Sequence, residues 1–374
     1  MLEIQTDNCT GCGLCSEICK IKAISMGKDA LTGFSYPHIY QEACIDCGLC
    51  ERVCPEINNV EKNDISGQKI YALIATDEKI RMASTSGGAF ALLANEIIDM
   101  KGAVAGARFE DRKLKHRIVF EKKDLIPLHK SKYVQSDMRE IYKDILDAAE
   151  TGKKVLFCGT PCQAAAIKRY SEKKKIDNNL IIVDLICRGV PSEKALELYL
   201  MQIESEKGSI VDKIDFKDKS KGWHSIGTYY HCSNGISFVE TLEESAFMNS
   251  FVGKGEDLCI RESCFNCKYK TQGRVSDLTI GDFWGIKDDG WDDNKGTSVI
   301  FVNTETGKQL MDRIKEKARI KEYTFEDVYP GNYKAFSQLS DKTKEREMFW
   351  KLIEKTDFRE ALKKCVGGCT IDKT

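Results

Sequence analysis

Cysteine is the residue type in this sequence with the spacing to do chemistry. The chain has 374 residues and 17 cysteines, and eight of these form two copies of one pattern, C-x2-C-x2-C-x3-C. The copies are "CTGCGLCSEIC" (9–19) and "CIDCGLCERVC" (44–54). Metal ligation is the better explanation of such spacing, because disulfide frameworks belong to small secreted chains. Only 5 histidines accompany the cysteines, which favours all-thiolate iron–sulfur clusters over mixed cysteine–histidine zinc sites.

The repeat predicts two [4Fe–4S] clusters that exchange one ligand. Three cysteines of each copy wrap one cluster, and the fourth reaches the other cluster. The expected ligands are a first cysteine set of Cys9, Cys12, Cys15 and Cys54, and a second cysteine set of Cys44, Cys47, Cys50 and Cys19. Residues 1 to about 60 resemble the bacterial two-cluster ferredoxins, although Lys20 stands where a proline often follows. A pair of zinc knuckles is the alternative.

Strand and helix patterns alternate in the centre of the chain. "KKVLFCGTPCQAAAIKRY" (153–170) predicts a strand, a turn and a helix with Pro161 in its first turn. "LIIVDLICRGVPSEKALELYLMQIE" (180–204) repeats this order, with a strand that ends at Cys187 and a helix that opens at Pro191. Such an order indicates parallel strands joined by a right-handed crossover. The edge where these strands end is where ligands bind in α/β sheets.

Four more cysteines complete a possible third centre at that edge. Cys162 and Cys187 both follow strands, and "RESCFNCKYK" (261–270) adds Cys264 and Cys267 in a C-x-x-C step. Together they form the third cysteine set. Half of a zinc site or a redox-active cysteine pair remains an alternative for the C-x-x-C step. Cys259 competes with Cys162 as a ligand, whereas Cys158 is expected to be a small buried residue inside its strand.

Two further segments have the composition of a ligand site. In "STSGGAFALLANEIIDMKG" (84–102) the residues Ser84 to Ser86 are expected to cap a helix, and Gly87–Gly88 allow close backbone approach. Amides at such a helix start attract phosphate. The aromatic pair in "DFWG" (282–285) either faces a planar cofactor or belongs to the core. Trp223 and His224 leave the same two alternatives open.

Six segments together resemble one family. They are "STSGGAF" (84–90), "SKYVQS" (131–136), "FCGTPCQ" (157–163), "ICRGVPS" (186–192), "RESCFNCKY" (261–269) and "DLTIGDFWG" (277–285). In this order they resemble the coenzyme F420 hydrogenase/dehydrogenase beta-subunit family, here with a two-cluster ferredoxin domain in front. One departure is Arg188, which stands where many relatives have histidine.

The resemblance implies FAD and a third [4Fe–4S] cluster held by the third cysteine set. It implies that Ser86, Gly87 and Gly88 cradle the flavin pyrophosphate with Lys132 and Tyr133. It places Thr160, Asp282, Phe283 and Trp284 near the flavin ring.

The expected fold is α/β (α+β overall), with a small two-cluster ferredoxin-like domain before a larger α/β flavin and iron–sulfur domain. The expected boundaries are 1–62 for the ferredoxin-like domain, 63–150 and 151–330 for the two parts of the larger domain, and 331–374 for a helical tail. Cys365 and Cys369 share one face of that tail, without an assigned role. A net charge of −1 gives no reason to expect nucleic acid. No apolar run is long enough for a membrane span, so we expect a cytoplasmic protein.

The expected function is electron exchange between a ferredoxin-type pool or redox partner protein and a small two-electron organic substrate. A flavin suits this task, because it takes up electrons in pairs and releases them singly to clusters. Family resemblance implies a deazaflavin carrier such as coenzyme F420, but no sequence feature selects the substrate. The alternative functions are a non-catalytic electron-transfer subunit docked to a catalytic partner and a zinc-stabilised interaction protein.

Overall fold

The computed structural model describes residues 6–253, 255, 257–340 and 343–366. Its helices are α1 (Leu14–Ile18), α2 (Leu49–Val53), α3 (Glu78–Met82), α4 (Ala89–Asp99), α5 (Ile141–Glu150), α6 (Pro161–Lys174), α7 (Glu193–Lys207), α8 (Ala246–Asn249), α9 (Glu305–Ile314), α10 (Phe325–Phe336), α11 (Thr343–Ile353) and α12 (Phe358–Val366). Its strands are β1 (Ile24–Lys28), β2 (Ser35–Ile39), β3 (Lys69–Ala75), β4 (Ala103–Glu110), β5 (Lys113–Val119), β6 (Val155–Gly159), β7 (Leu180–Leu185), β8 (Val211–Asp218), β9 (Gly227–Cys232), β10 (Ser237–Glu240), β11 (Leu278–Asp282), β12 (Ser298–Val302) and β13 (Ala318–Tyr323).

The N-terminal part, residues 6–62, consists of two short helices and one hairpin. β1 and β2 pair antiparallel, and α1 and α2 are each five residues long. Gly13 and Gly48 precede these helices with φ angles of 77° and 66°. Glycine adopts this left-handed conformation without the steric cost that a side chain would bring. Each cysteine loop can therefore turn directly into the helix that follows it.

An eight-stranded sheet organises the larger part of the chain. Its strand order is β13-β3-β12-β11-β7-β6-β4-β5. The pairs β4–β6, β6–β7 and β7–β11 are parallel, whereas the outer pairs are antiparallel. Helices α4 and α9 bury their apolar residues against one face, and α5, α6 and α10 cover the other. Because β3 pairs with both β12 and β13, residues on either side of position 150 contribute to one sheet.

A second, three-stranded sheet of order β10-β9-β8 packs with α7, α8, α11 and α12 around a separate apolar core. α7 begins where the Ser192 hydroxyl accepts a hydrogen bond from Ala195 N, and it ends at Gly208 with φ 61°. Both are typical helix-capping arrangements. Leu114 of β5 and Val134 also belong to this core. The core therefore reaches the edge strand of the large sheet.

The strand–helix–strand prediction for residues 153–204 is confirmed, but α7 begins at Glu193 rather than at Pro191, which lies before the helix in a β-bridge to Ile260. β6 and β7 are parallel, and Pro161 is the first residue of α6. β7 ends at Leu185 rather than at Cys187, so Cys187 lies in the loop after it. The capping prediction for Ser84–Ser86 is wrong, because Gly88, with φ 100°, is the residue that precedes α4. Cys369 lies outside the described residues. Of the helices within the described ranges, none is long and apolar enough to cross a membrane.

Candidate iron–sulfur and cofactor site

The structure brings the first cysteine set together around a small void at the start of α1. Cys9, Cys12, Cys15 and Cys54 all line this void, together with Glu56. Burial, together with the charges of Cys9 and Cys54, raises the pKa of Cys12 to about 12. Three of the four cysteines are buried and Cys12 is half-buried. Thiols this close would repel one another as thiolates, so they need bound cations to stay ionised together. The donor set therefore fits an iron–sulfur cluster.

The second cysteine set lies closer to solvent. Cys47 is exposed, and Cys44, Cys50 and Cys19 are half-buried. Cys50 is close enough to Cys19 for the charge of Cys19 to raise its pKa, although burial is the larger cause. The neighbouring Ile45 has 70% of its surface exposed. This set consequently lies at the surface of the molecule, whereas the first set lies inside it.

The third cysteine set also comes together, from three distant segments of the chain. Cys162 is the second residue of α6, Cys187 follows β7, and Cys264 and Cys267 lie in one loop. Burial raises the pKa of Cys187 to about 12 and of Cys264 to about 11, and neighbouring thiols of the set add to both shifts. Cys267, Cys187 and Cys264 all act on the pKa of Cys162. These four groups are thus mutual neighbours.

Cys259 lies apart from this group. It is fully buried, and its sulfur accepts a hydrogen bond from the Ser250 hydroxyl at 3.1 Å. Burial raises its pKa to about 12, and the nearby charges belong to Arg346 and Asp257. Because Cys259 faces the apolar core around α7, Cys162 is the better candidate for the fourth ligand.

Within the described residues, no three histidine, cysteine or acidic side chains converge on one point as the ligands of a single ion would. Each thiolate of a [4Fe–4S] cluster binds a different iron atom. Cluster ligands therefore stand further apart than the ligands of one zinc ion.

Tyr269 lies between the first and third cysteine sets. Its buried ring belongs to the apolar cluster against which Cys12, Cys162 and Cys267 pack. Its hydroxyl donates to Glu56 Oε1 at 3.2 Å, and Glu56 lines the void of the first set. Burial, together with the charges of Glu56 and Cys162, raises the pKa of Tyr269. The two sets are therefore joined through one aromatic side chain.

Arg261 links the loop that carries Cys264 and Cys267 to the N-terminal part of the chain through hydrogen bonds. The guanidinium is 1% exposed and donates to Cys9 O at 2.6 Å, Gln135 Oε1 at 2.8 Å and Ser35 O at 2.9 Å. It also lies 4.4 Å from the ring centre of Tyr36. A planar, permanently charged group with several donors suits this position.

A cavity of about 440 Å³ opens beside the third cysteine set and includes Cys187 in its wall. Seven of the nine residues predicted to contact a flavin line it: Ser86, Gly88, Lys132, Tyr133, Thr160, Asp282 and Trp284. The cavity has the size and mixed polarity typical of cofactor sites. Cys158 lies in β6 as expected, but it also lines this cavity.

Gly87 and Phe283 do not line the cavity. A Cβ at Gly87 would lie 2.0 Å from Leu73 O and 2.6 Å from Ser298 N, so this residue serves the close packing of α4 on β3 and β12. Phe283 is 1% exposed and packs edge-to-face on Tyr323 with ring centres 4.9 Å apart. β11 ends at Asp282 and Trp284 lies in the turn that follows, so Trp284 lines the cavity while Phe283 packs in the core.

Aromatic and charged groups form one wall of the cavity. Trp284 stacks on Trp223 with ring centres 4.3 Å apart and an angle of 4°. Lys217 Nζ lies 4.2 Å from the ring centre of Trp284 and 3.1 Å from Asp282 Oδ2. The alternatives left open for Trp223 are thus resolved in favour of a structural role behind Trp284.

Several polar residues of the cavity carried no sequence motif. His116 Nε2 lies 3.1 Å from Cys158 O, and no hydrogen-bond partner within the described residues reaches His116 Nδ1. Burial lowers the pKa of His116 and of His129 to about 4. Burial also lowers the pKa of Lys132 to about 7. Only the folded sheet brings β5 beside β4 and hence His116 to this edge, so no local pattern could reveal it.

A buried lysine fixes the loop of residues 84–88 that precedes α4, called the Ser-Gly loop. Lys219 Nζ donates to Arg81 O at 2.9 Å, and to Ser86 O and Lys295 O at 2.8 Å each. Its burial lowers the pKa of this ammonium to about 7. Three carbonyl acceptors fix the loop that carries Ser86 and Gly88 at the cavity wall.

Two family models match the chain. Residues 152–328 match the model of the C-terminal region of the coenzyme F420 hydrogenase/dehydrogenase beta subunit, and residues 8–57 match the 4Fe-4S dicluster domain. Over these residues the chain is similar to the two families. The resemblance drawn from the six segments and the ferredoxin repeat is thereby confirmed. The matched regions are those of an iron–sulfur domain and of an oxidoreductase beta subunit.

Among solved structures, the chain is similar to a chain of the xenon-derivatised F420-reducing [NiFe] hydrogenase complex from Methanosarcina barkeri. The identity is 17%, the TM-score is 0.48, and the match covers 77% of this chain and 93% of that chain. No curated protein matches the sequence.

Proposed function

We propose that this protein is an iron–sulfur flavoprotein oxidoreductase that passes electrons between a two-electron organic substrate and a ferredoxin-type partner through FAD and three [4Fe–4S] clusters. The observation that carries the proposal is the position of Cys187. It belongs to the third cysteine set and also lines the 440 Å³ cavity. A cofactor in the cavity would therefore lie directly beside a cluster.

The third cysteine set fits a [4Fe–4S] cluster by its chemistry. Its four cysteines are half-buried. Each has a neighbour that lowers its pKa through a hydrogen bond: Thr160 for Cys162, Gly189 for Cys187, Val190 for Cys264 and Tyr269 for Cys267. Hydrogen bonds to ligand sulfurs stabilise thiolates and tune the potential of the cluster they hold. Nearby Lys270 is buried and adds positive charge.

The cavity fits FAD through its charge and backbone. The start of α4 and the ammonium of Lys132 offer N–H groups and positive charge to a pyrophosphate. Lys132 Nζ donates to His129 O at 2.6 Å and Lys130 O at 3.2 Å, with no carboxylate among these acceptors. When bound, FAD supplies the step between hydride transfer and single-electron transfer. The stacked Trp284 and the Thr160 hydroxyl are the residues proposed to orient its ring.

The order of the three sets gives an electron route. The third set adjoins the cavity, Tyr269 joins it to the first set, and the second set reaches the surface at Cys47. A redox partner protein would dock at that surface, where Ile45 is exposed. The substrate would enter the cavity, and a hydride carrier of the coenzyme F420 type is our leading candidate.

The test is the content of iron, acid-labile sulfide and flavin in anaerobically purified protein. Three clusters require about twelve irons per chain, and two require about eight. About twelve irons with one FAD would support the proposal, whereas about eight irons without flavin would contradict it. Reduction of coenzyme F420 by the isolated chain would then distinguish an enzyme from an electron-transfer subunit that needs a catalytic partner.

A further inference from the structure

Among the described residues, one side chain forms a hydrogen bond with a sulfur of the third cysteine set. The Oγ1 atom of Thr160 lies 3.2 Å from the Sγ atom of Cys162. The hydrogen bonds that act on Cys187, Cys264 and Cys267 come from the backbone of Gly189, Val190 and Tyr269. Among these four donors, only the threonine hydroxyl can be removed by a substitution.

The direction of this hydrogen bond follows from the chemistry of a cluster ligand. A cysteine that binds iron is a thiolate and has no proton to donate. The Thr160 hydroxyl, which can both donate and accept, must therefore be the donor. Its proton withdraws charge from the sulfur, and this makes an added electron on the cluster less unfavourable.

Thr160 also lies in the wall of the cavity. Its backbone N–H donates to Gln163 Oε1 at 2.9 Å, which fixes the residue at the N-terminus of α6. Pro161 follows directly, so the turn that carries the hydroxyl has a restricted backbone. The hydroxyl is consequently held between whatever occupies the cavity and the sulfur of Cys162.

We propose that Thr160 is a positioning residue that raises the reduction potential of the third cluster through its hydrogen bond to Cys162. This inference rests on the proposed function, because it requires the third cluster to be present. It goes further because it names one hydroxyl at the cavity wall as a group that raises the reduction potential of one cluster.

The experiment is a redox titration, monitored by electron paramagnetic resonance, on the anaerobically purified full chain and its variants. In Thr160→Val, which keeps the shape and removes the donor, the midpoint potential of the third cluster should become more negative. The potentials of the other two clusters should not change. Thr160→Ser restores a hydroxyl and should return the midpoint toward that of the wild type.

Thr304→Val is the matched control. Thr304 is also the residue before a helix, and its hydroxyl accepts from Gly307 N at 3.1 Å and donates to Asp277 Oδ1 at 2.6 Å. The substitution removes a helix cap whose hydrogen-bond partners are not cysteines, so the midpoint should stay at the wild-type value. If Thr160→Val does not retain its iron, the same titration is made on Thr160→Ala.

An unchanged third-cluster midpoint in a variant without the hydroxyl and with full iron content would overturn the inference and leave the proposed function standing. A wild-type protein with about eight irons would instead overturn the proposed function itself. The two failures are therefore distinguishable.

Discussion

The first and third cysteine sets each bring four cysteines together, but they take them from the chain in different ways. The first set takes three of its four cysteines from one loop, Cys9 to Cys15, between short elements. The third set takes its members from the N-terminus of a helix, the end of a strand and a distant loop, all fixed by the eight-stranded sheet. One site is made by local spacing, and the other is made by the fold.

This difference has an energetic counterpart. Helices of five residues and a two-stranded hairpin are marginally stable in isolation. The N-terminal part must therefore draw stability from its metal centres and from its contact with α5 and α6, where Leu14, Ile18 and Val53 are buried. The large sheet has apolar cores on both faces and does not depend on metal in this way.

Removal of iron should separate the two regions most strongly. After treatment with a chelator under anaerobic conditions, residues 6–60 should lose about a hundredfold or more of their amide-exchange protection. The strands β6 and β7 should change by less than about tenfold, because they lie in the middle of the large sheet between apolar cores on both faces. Hydrogen exchange followed by mass spectrometry measures both regions in one sample. Equal loss of protection in the two regions would contradict the comparison.

Loss of one ligand should affect the third site alone. In Cys264→Ser, iron should fall from about twelve to about eight per chain, with the signals of the other two clusters retained. Cys259→Ser is the matched control, because Cys259 bonds to Ser250 in the apolar core, and it should keep about twelve irons. The reverse result would show that Cys259 is the ligand.

The junction between the regions should be sensitive to Arg261. Arg261→Met leaves the buried acceptors Cys9 O, Ser35 O and Gln135 Oε1 without their donor, at a cost of about 3 kcal/mol. The apparent Tm, followed by the loss of cluster absorbance, should fall by about 3–8 °C. Arg261→Lys should restore little of this loss, because an ammonium cannot reproduce the planar fork. Arg319→Met, at a surface site on Trp291, is the control and should change Tm by less than about 1 °C.

The cavity should respond to pH through Lys132. Burial lowers the pKa of Lys132 to about 7, so the ammonium loses its charge as pH rises through that value. An anionic ligand binds the charged form, and the Kd for FAD should therefore rise by up to about tenfold per pH unit above pH 7. His116 and His129, with pKa values of about 4, stay neutral in this range. Fluorescence titration from pH 6 to 9 measures the effect.

Lys132→Met should flatten this pH dependence. Lys130→Met should keep it, because Lys130 is already paired with Asp215 at 2.6 Å. A Kd that rises equally in Lys132→Met and in the wild type would assign the effect to another group.

The sequence predicts those features of the structure that depend on residues close together along the chain. The cysteine repeat, the parallel pair β6–β7 and the start of α6 at Pro161 follow from spacing and helix signals. The helix cap predicted at Ser84–Ser86 is wrong, because Gly88, with φ 100°, precedes α4 in place of a residue with a capping hydroxyl. Phe283 and Trp284 differ in their surroundings because the chain leaves β11 after Asp282 and turns at Trp284.

The parts of the site that the sequence does not predict come from contacts between residues that are distant along the chain. His116 reaches the cavity from β5, and Lys219 reaches the Ser-Gly loop from a turn after β8. Neither residue lies near the motifs it serves along the chain. The sequence predicts that Cys162 and Cys187 lie close together because both follow strands of one sheet, and strand ends are positions that topology predicts.

Arg261 stands three residues before Cys264, and its guanidinium is bonded to the carbonyl of Cys9. The loop of the third set and the loop of the first set are therefore held as one solid body, with Tyr269 between them. Under the proposed function, electrons would pass between these sets without a swinging arm or a docking step. The rate of this internal transfer should then be the same in water and in viscous glycerol solution, unlike that of a tethered shuttle.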